Sequence, residues 1–302
     1  MQQGIYHVPV MLREVIDGLQ LKPGGIYVDC TMGGGGHSRA ILSQLDQKGK
    51  LLVFDQDEDA KRNIPADDRL IFIPHNFRHL QRFLRLHKVE KADGILADLG
   101  VSSYQFNEPE RGFSFRFDAP MDMRMDRRQK LTAAEIIATW STEKLHKMFE
   151  VYGEVTNAKT LAKTITEARG YTLIHTVNDF KKVIYPVVKG NPHKYLAQVF
   201  QALRIEINDE LGSLKEMLGQ LPDILQTGGR VAIITFHSLE DRIVKNFFKT
   251  GSIQHIEADE VYGTKLKNAF TVITKKPILP GEQEIKENPQ ARSAKLRIAE
   301  KN

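Results

Sequence analysis

Apolar and polar positions follow two different rhythms along the chain. In the first third, four short runs of branched apolar residues end in turn formers: Ile26 to Thr31, Lys50 to Phe54, Leu70 to Ile73 and Gly94 to Leu99. Runs that are apolar throughout predict strands buried on both faces. Helical patterns lie between them, over Ser38 to Leu45, Asp57 to Asn63 and His79 to Leu86. Strand and helix in alternation predict a parallel sheet covered by helices, an α/β domain.

From about Ser102 to Lys130 no period is sustained, and helices then take over. Thr132 with Glu135 makes a capping box that opens a helix through Ile136, Ile137 and Trp140. Ala158, Leu161, Ile165 and Ala168 mark one face of a second helix, stopped at Gly170, and Thr176 with Asp179 opens a third carrying Phe180, Val183 and Ile184. The longest stripe runs from Lys194 to about Leu218 and predicts one helix. Thr227-Gly228-Gly229 breaks the chain before a strand, Arg230 to Phe236, and a helix, Leu239 to Phe248. Two last strand-like runs, Ala269 to Lys275 and Ala294 to Ala299, predict an antiparallel pair joined by a loop without a clear helix. A sheet that stops and resumes predicts a discontinuous core domain, residues 1–106 and 201–302, with a helical insertion over 107–200.

Composition narrows the function classes. The chain has 302 residues, 41% hydrophobic and 27% charged, enough for a large buried core. No apolar run approaches the ~18 residues that span a bilayer, and the first ten residues lack a signal-peptide layout, so a cytoplasmic protein with no membrane partner is expected. A single cysteine, Cys30, rules out intramolecular disulfides and zinc sites built on paired cysteines. No residue set is assigned to a metal. Lys and Arg outnumber Asp and Glu 43 to 38, a charge of +5 that inclines the protein mildly toward polyanions.

The strongest local signal is Asp29-Cys30-Thr31-Met32-Gly33-Gly34-Gly35-Gly36-His37-Ser38, where the first strand passes into the first helix. Glycines there let the backbone approach a ligand closely, and the helix start offers free N–H groups. A nucleoside-triphosphate loop would end in Gly-Lys-Ser/Thr, and this one ends in Gly36-His37-Ser38. A dinucleotide fingerprint needs glycine where Ser38 stands. What survives is the acid after the second strand, Asp55 ahead of Asp57, placed to accept both hydroxyls of a ribose. A nucleoside without pyrophosphate fits, and S-adenosylmethionine is the common one. Its amino-acid end would lie over the glycine loop with Asp29 as a partner for the ammonium. His75-Asn76-Phe77 and Asp98-Leu99-Gly100 would border the adenine, Phe77 packing on the purine and Asp98 accepting from its amine. A core phenylalanine and a helix-capping aspartate are the alternatives.

At these residues the sequence resembles the small-subunit ribosomal RNA methyltransferase H family, also called MraW. The likeness covers nearly the whole chain, through His7-Val8-Pro9-Val10-Met11-Leu12, the Asp29 to Ser38 loop, Asp93 to Ser103 and Glu110-Arg111-Gly112-Phe113-Ser114-Phe115. It continues in Met121 to Asp126, Phe200 to Ile205, Thr235 to Arg242 and Asn288 to Arg297. The resemblance implies a class I (Rossmann-like) S-adenosylmethionine-dependent methyltransferase with a helical insertion domain. It also implies the reaction, methylation of N4 of a cytidine in the decoding region of 16S ribosomal RNA, and the partner, that RNA within the small ribosomal subunit. The family's cofactor contacts fall on Gly35, Gly36, His37, Asp55, Phe77, Asp98 and Gln105. Two departures stand out. Gly34 occupies a position where many relatives carry a larger residue, and Asn191 to Gln198 differs from the His-Pro-Ala-Thr-Arg run of many members.

The residues also speak on the chemistry by themselves. C5 methylation of cytosine generally needs a cysteine nucleophile, and Cys30 lies beneath the cofactor loop, far from a base, which leaves nitrogen or oxygen as acceptor. An exocyclic amine must be oriented by hydrogen-bond acceptors in line with the methyl group. The Asp/Asn-Pro-Pro-aromatic motif that usually does so is replaced by Asp98 to Ser103. Ser102 and His237 are therefore the catalytic candidates, with Ser103 and Ser238 beside them, and a structural histidine is the alternative for His237. The loop Arg111 to Phe117, followed by Arg124, Arg127 and Arg128, interleaves aromatic and basic residues as single-stranded RNA recognition requires. Arg111, Phe115 and Arg124 are the candidate RNA contacts, against the alternative that the phenylalanines anchor the loop. Lys159, Lys163 and Arg169 would extend a basic face.

Overall fold

The computed structural model describes residues 9–253 and 268–302. The chain divides into two compact units, Met1–Gly100 with Leu211–Asn302, and Val101–Glu210.

In the first unit β1 (Ile26–Asp29), β2 (Lys50–Phe54), β3 (Leu70–Ile73), β4 (Ala92–Asp98), β5 (Leu225–Thr235), β6 (Phe270–Val272) and β7 (Lys295–Lys301) form one sheet, ordered β3-β2-β1-β4-β5-β7-β6. Neighbours from β3 to β5 pair in parallel, and β7 runs antiparallel to β5 and β6. Successive side chains face opposite sides. Val28, Leu52, Ile95 and Ile233 enter one core, and Tyr27, Leu51, Val53, Leu96 and Ile234 the other. This double burial is why the strands read as unbroken apolar runs. Helices α1 (Leu12–Leu19) and α2 (Gly36–Gln44) add Val15, Leu19, Ile41 and Leu42 to the second core, while α3 (Leu80–Leu86) adds Leu80 and Leu84 to the first. The architecture is the Rossmann-like α/β fold that the resemblance implies. Sheet order reverses between β1 and β4, opening a crevice beyond their carboxyl ends, the place where open α/β sheets bind ligands.

The second unit is helical: α4 (Ser103–Asn107), α5 (Ala133–Thr139), α6 (Thr142–Val151), α7 (Ala158–Ala168), α8 (Val177–Ile184) and α9 (Pro192–Asn208). Its own core joins Met121, Met123, Ile136, Leu145, Phe149, Leu161, Phe180 and Leu203. Both expected capping boxes form, Thr132 with Glu135 and Thr176 with Asp179. The unit extends beyond 107–200 at each end because Val101 and Phe106, and likewise Leu203 and Ile207, pack on that same core.

The chain then enters α10 (Glu210–Ile224), α11 (Ser238–Thr250) and α12 (Glu282–Glu287). The single helix expected over Lys194 to Leu218 is two, parted at Asp209, whose φ of 44° is left-handed. The Asn208 amide donates to the carbonyls of Arg204 and Met123 and accepts from Met125 N–H, which satisfies polar groups at the helix end. The Gly228-Gly229 break is a bulge inside β5, since Ala92 pairs with Leu225 and Gly94 with Arg230. Asp57 to Asn63 forms a 3-10 turn rather than an α-helix, and the loop before β7 contains α12. Among the described residues no helix is long and apolar enough to cross a membrane.

Candidate functional site

The glycine loop lies at the carboxyl end of β1. Gly35 has φ of 72°, and a Cβ there would stand 2.9 Å from the Asn63 carbonyl oxygen, so the position requires glycine. A Cβ on Gly36 would meet the Pro9 ring at 2.7 Å, whereas one on Gly34 would meet nothing within 4 Å. Ser38 accounts for the broken dinucleotide fingerprint: its hydroxyl donates to Asp29 Oδ2 at 2.6 Å, and Asp29 Oδ1 accepts from Thr31 N–H. Asp29 is fully buried and holds the loop from beneath, which removes it as a partner for a ligand's ammonium.

Asp55 follows β2. Its Oδ2 accepts from Gly33 N–H and its Oδ1 from Asp57 N–H, each at 2.8 Å, so the acid ties the glycine loop to the second strand. Burial pushes its pKa up to about 7 against those two hydrogen bonds. Asp57 is spent as a cap, accepting from Asp59 N–H. After β3, Asn76 caps the turn that begins at Phe77, and Phe77 is partly buried against the first core. His75 stacks on Phe83, with centroids 4.7 Å apart.

Asp98 ends β4 and bears on the glycine loop rather than on the β3 side. Its backbone N–H donates to Thr31 Oγ1, and its Oδ2 lies 3.8 Å from His37 Nδ1. Its Oδ1 is buried without a hydrogen-bond partner, although 23% of the side-chain surface stays exposed. Burial, then the charges of Asp29, Glu240 and Glu284, hold its carboxyl well above the usual carboxylate range. His37 is buried and bonds through Nε2 to the Val10 carbonyl at 3.0 Å, and burial lowers its pKa. Met11 N–H donates to Glu284 at 2.6 Å. Pro9, Val10 and Glu284 are therefore parts of the site that no periodicity announces; the ordered His7 to Leu12 stretch signals the first two, His7 itself lying outside the described residues, and no sequence signal marks Glu284.

The two catalytic candidates both cap helices. His237 is the N-cap of α11: its Nδ1 accepts from Glu240 N–H at 3.4 Å, its Nε2 lies 3.2 Å from Glu240 Oε1, and Glu240 Oε2 accepts from Phe236 N–H. In the helical unit Ser102 caps α4, its hydroxyl accepting from Gln105 N–H while its own N–H donates to Gln105 Oε1. Ser103 lies inside α4, and Ser238 opens α11 and is exposed. Cys30 is 1% exposed, and burial pushes its thiol well up, so no nucleophilic sulfur faces a base.

Each of the three candidate RNA contacts has a structural duty. Arg111 is 1% exposed and donates to the carbonyls of Arg124 and Met125. Arg124 clasps Asp122 through two hydrogen bonds and donates to the carbonyl of Gln129. Phe115 packs edge-on against His193 and Phe200, at 4.9 and 5.5 Å. Phe113 and Phe115 anchor the loop on the helical core while Arg111 and Arg124 satisfy its carbonyls, as irregular buried backbone demands, and Phe117 stays 42% exposed. Arg169 likewise donates to the carbonyls of Ile137 and Trp140, and Lys163 pairs with Glu167.

Comparison with known proteins gives one answer along the chain. The model of the MraW methylase family matches residues 4–302. The ribosomal RNA small subunit methyltransferase H of Bacteroides thetaiotaomicron is 52% identical over 297 residues, covering 98% of this chain and 97% of its own. That of Flavobacterium johnsoniae is 50% identical over 300 residues, covering 98% of each.

Proposed function

The chain belongs to the MraW methylase family, and from this premise we propose that it methylates N4 of a cytidine in the decoding region of 16S ribosomal RNA. At the coarser level it is an S-adenosylmethionine-dependent methyltransferase of small-subunit ribosomal RNA. The observation that carries the cofactor is the unpaired Asp98 Oδ1 beside the glycine loop, a buried acceptor waiting for a donor at the switch point of the sheet.

When bound, S-adenosylmethionine would supply a methyl group, its S–CH3 bond breaking as the acceptor's N–CH3 bond forms and the acceptor then losing a proton. The backbone of Gly35 and Gly36 would approach its amino-acid end, and the Asp98 carboxylate would accept from its ammonium. Asp98 thus takes the part first expected of Asp29, because Asp29 is sealed and satisfied. Asp55 keeps lone pairs on both oxygens beyond its two backbone bonds, and these accept the ribose hydroxyls. Phe77 flanks the purine, His37 holds the Pro9–Met11 segment against the loop, and Gln105 is a further contact by family likeness. No metal is assigned to the reaction.

The buried thiol of Cys30 supports an amine acceptor over C5 of the ring. Ser102 and His237 stand as the proposed acceptors that orient the base N–H groups, each with a second duty as a helix cap. The unit Val101–Glu210 guides the RNA. Asp55→Ala or Gly35→Val should abolish S-adenosylmethionine binding in calorimetry, and undiminished binding would overturn the cofactor placement. Incubation with labelled cofactor should mark small subunits or their RNA; label in naked DNA or free nucleosides would redirect the substrate assignment.

A further inference from the structure

Arg111, Phe115 and Arg124 hold their own loop, and the charge of the helical unit outside it is distributed unevenly. From Phe180 to Ile205 the sequence contains no Asp or Glu, yet it carries Lys181, Lys182, Lys189, Lys194 and Arg204. Arg204 is paired with Glu210 at 2.8 Å. None of the four lysines lies within 4 Å of a carboxylate among the described residues.

Three of them are exposed on consecutive stretches of chain, Lys182 on α8, Lys189 on the link and Lys194 on α9. On α8, Val177, Phe180 and Ile184 are buried, Lys181 is partly buried, and Lys182 is exposed one turn from the exposed Tyr185 that follows the helix. Lys181 Nζ donates to the Phe115 carbonyl at 3.1 Å, and the Phe115 ring meets the His193 ring in the first turn of α9 at 4.9 Å. Phe115 therefore brings the outward side of α8 next to the start of α9, where His193 and Lys194 are exposed, and Lys189 is exposed on the link between the helices. Tyr185 is 75% exposed, a large aromatic surface that no core claims. The nearby acids are Asp118, which accepts from Asn178 N–H, and Asp179, which accepts from Thr176 N–H and whose charge is also favoured by Lys182.

We propose that this face, from the end of α8 through the link into the first turn of α9, binds a single-stranded RNA segment. Lys182, Lys189 and Lys194 lie on phosphates, and Tyr185 stacks on a base. Unpaired cations around an exposed ring are the combination that binds single strands, since every phosphate carries charge and every base has a π-face. The inference rests on the proposed ribosomal RNA substrate, and it places the surface within the family's helical unit.

The test uses the full chain and a fluorescent single-stranded RNA of mixed sequence, titrated across salt concentration without cofactor. The Lys182→Ala, Lys189→Ala, Lys194→Ala triple variant should bind at least tenfold more weakly at low salt. Its log–log salt slope should fall by about 2, at ~0.7 per released contact on single strands. Tyr185→Ala should weaken binding with the slope unchanged. A matched triple of exposed lysines in the other unit, Lys48→Ala, Lys245→Ala, Lys249→Ala, should keep near wild-type affinity. Calorimetry with S-adenosylmethionine should give the wild-type value for all three, which shows that they are folded and keeps this test separate from that of the methyltransferase reading. Unchanged RNA binding in the first triple, an equal loss in the matched triple, or a face that binds anionic lipid vesicles and not RNA would each overturn the proposal.

Discussion

Asp98 holds one oxygen 3.8 Å from an imidazole nitrogen and leaves the other buried and unpaired, with Asp29, Glu240 and Glu284 adding like charge around it. In the free protein this arrangement is unfavourable, because a buried acceptor without a donor costs roughly 1–3 kcal/mol and like charges add to it. Asp98→Asn removes the charge but keeps the shape. It should raise the melting temperature of the free protein while weakening S-adenosylmethionine at least about tenfold, ~1.4 kcal/mol, in calorimetry. A lower melting temperature together with unchanged affinity would make Asp98 an ordinary structural acid. The places of Asp55 and Asp98 at the ends of β2 and β4 were legible in the sequence because strand ends fix where acids can stand. Arg111 and Arg124 were not, since an arginine that binds a phosphate and one that binds carbonyls look alike as letters. A signal did exist: the spacing of Asp122 with Arg124 and of Asp126 with Arg128 lets each arginine clasp the acid two residues before it.

The elements around the site are fixed by caps as much as by periodicity. Ser102 and His237 were singled out as acceptors at strand ends, and the structure places both at helix starts, where serine is a common cap and histidine an uncommon one. For Ser102 the two duties can be separated. Ser102→Ala should cost ~1 kcal/mol in urea unfolding through the lost cap. Ser102→Asp restores a cap, and if the hydroxyl also orients the base its turnover should stay low with S-adenosylmethionine affinity normal. Full recovery of turnover in Ser102→Asp would leave Ser102 as a cap alone. Alternating strand and helix made the sheet readable, because each strand is buried on both faces. The break at Asp209 was hidden, since the apolar stripe passes through it unchanged. Leu203 and Ile207 serve the helical core, whereas Leu214 and Leu218 serve the sheet.

At the scale of the whole molecule, buried acids set the pH response. Asp55, pushed to about 7, and the raised Asp29 and Asp98 hold protons in the folded chain that the unfolded chain releases near pH 4. Between about pH 4 and 7 the native state binds more protons, so stability should fall as pH rises through that window. His37, whose pKa is lowered, acts in the opposite direction near its ordinary value but is one group against three. Urea midpoints should therefore drop from pH 5 to 7, less so in Asp55→Asn, while S-adenosylmethionine affinity rises over the same range; a rising midpoint, equally steep in the variant, would remove this account of the carboxylates. The basic excess of +5 gains a location in the acid-free stretch of the helical unit, and the lone cysteine gains a reason to be inert. The central claim concerns where the methyl group goes. After incubation with S-adenosylmethionine, mass spectrometry of nucleosides from small-subunit ribosomal RNA should find N4-methylcytidine at one decoding-region position, absent when Asp55→Ala replaces the wild type. A methyl group on C5 or a ribose oxygen, or none on small-subunit RNA, would contradict it.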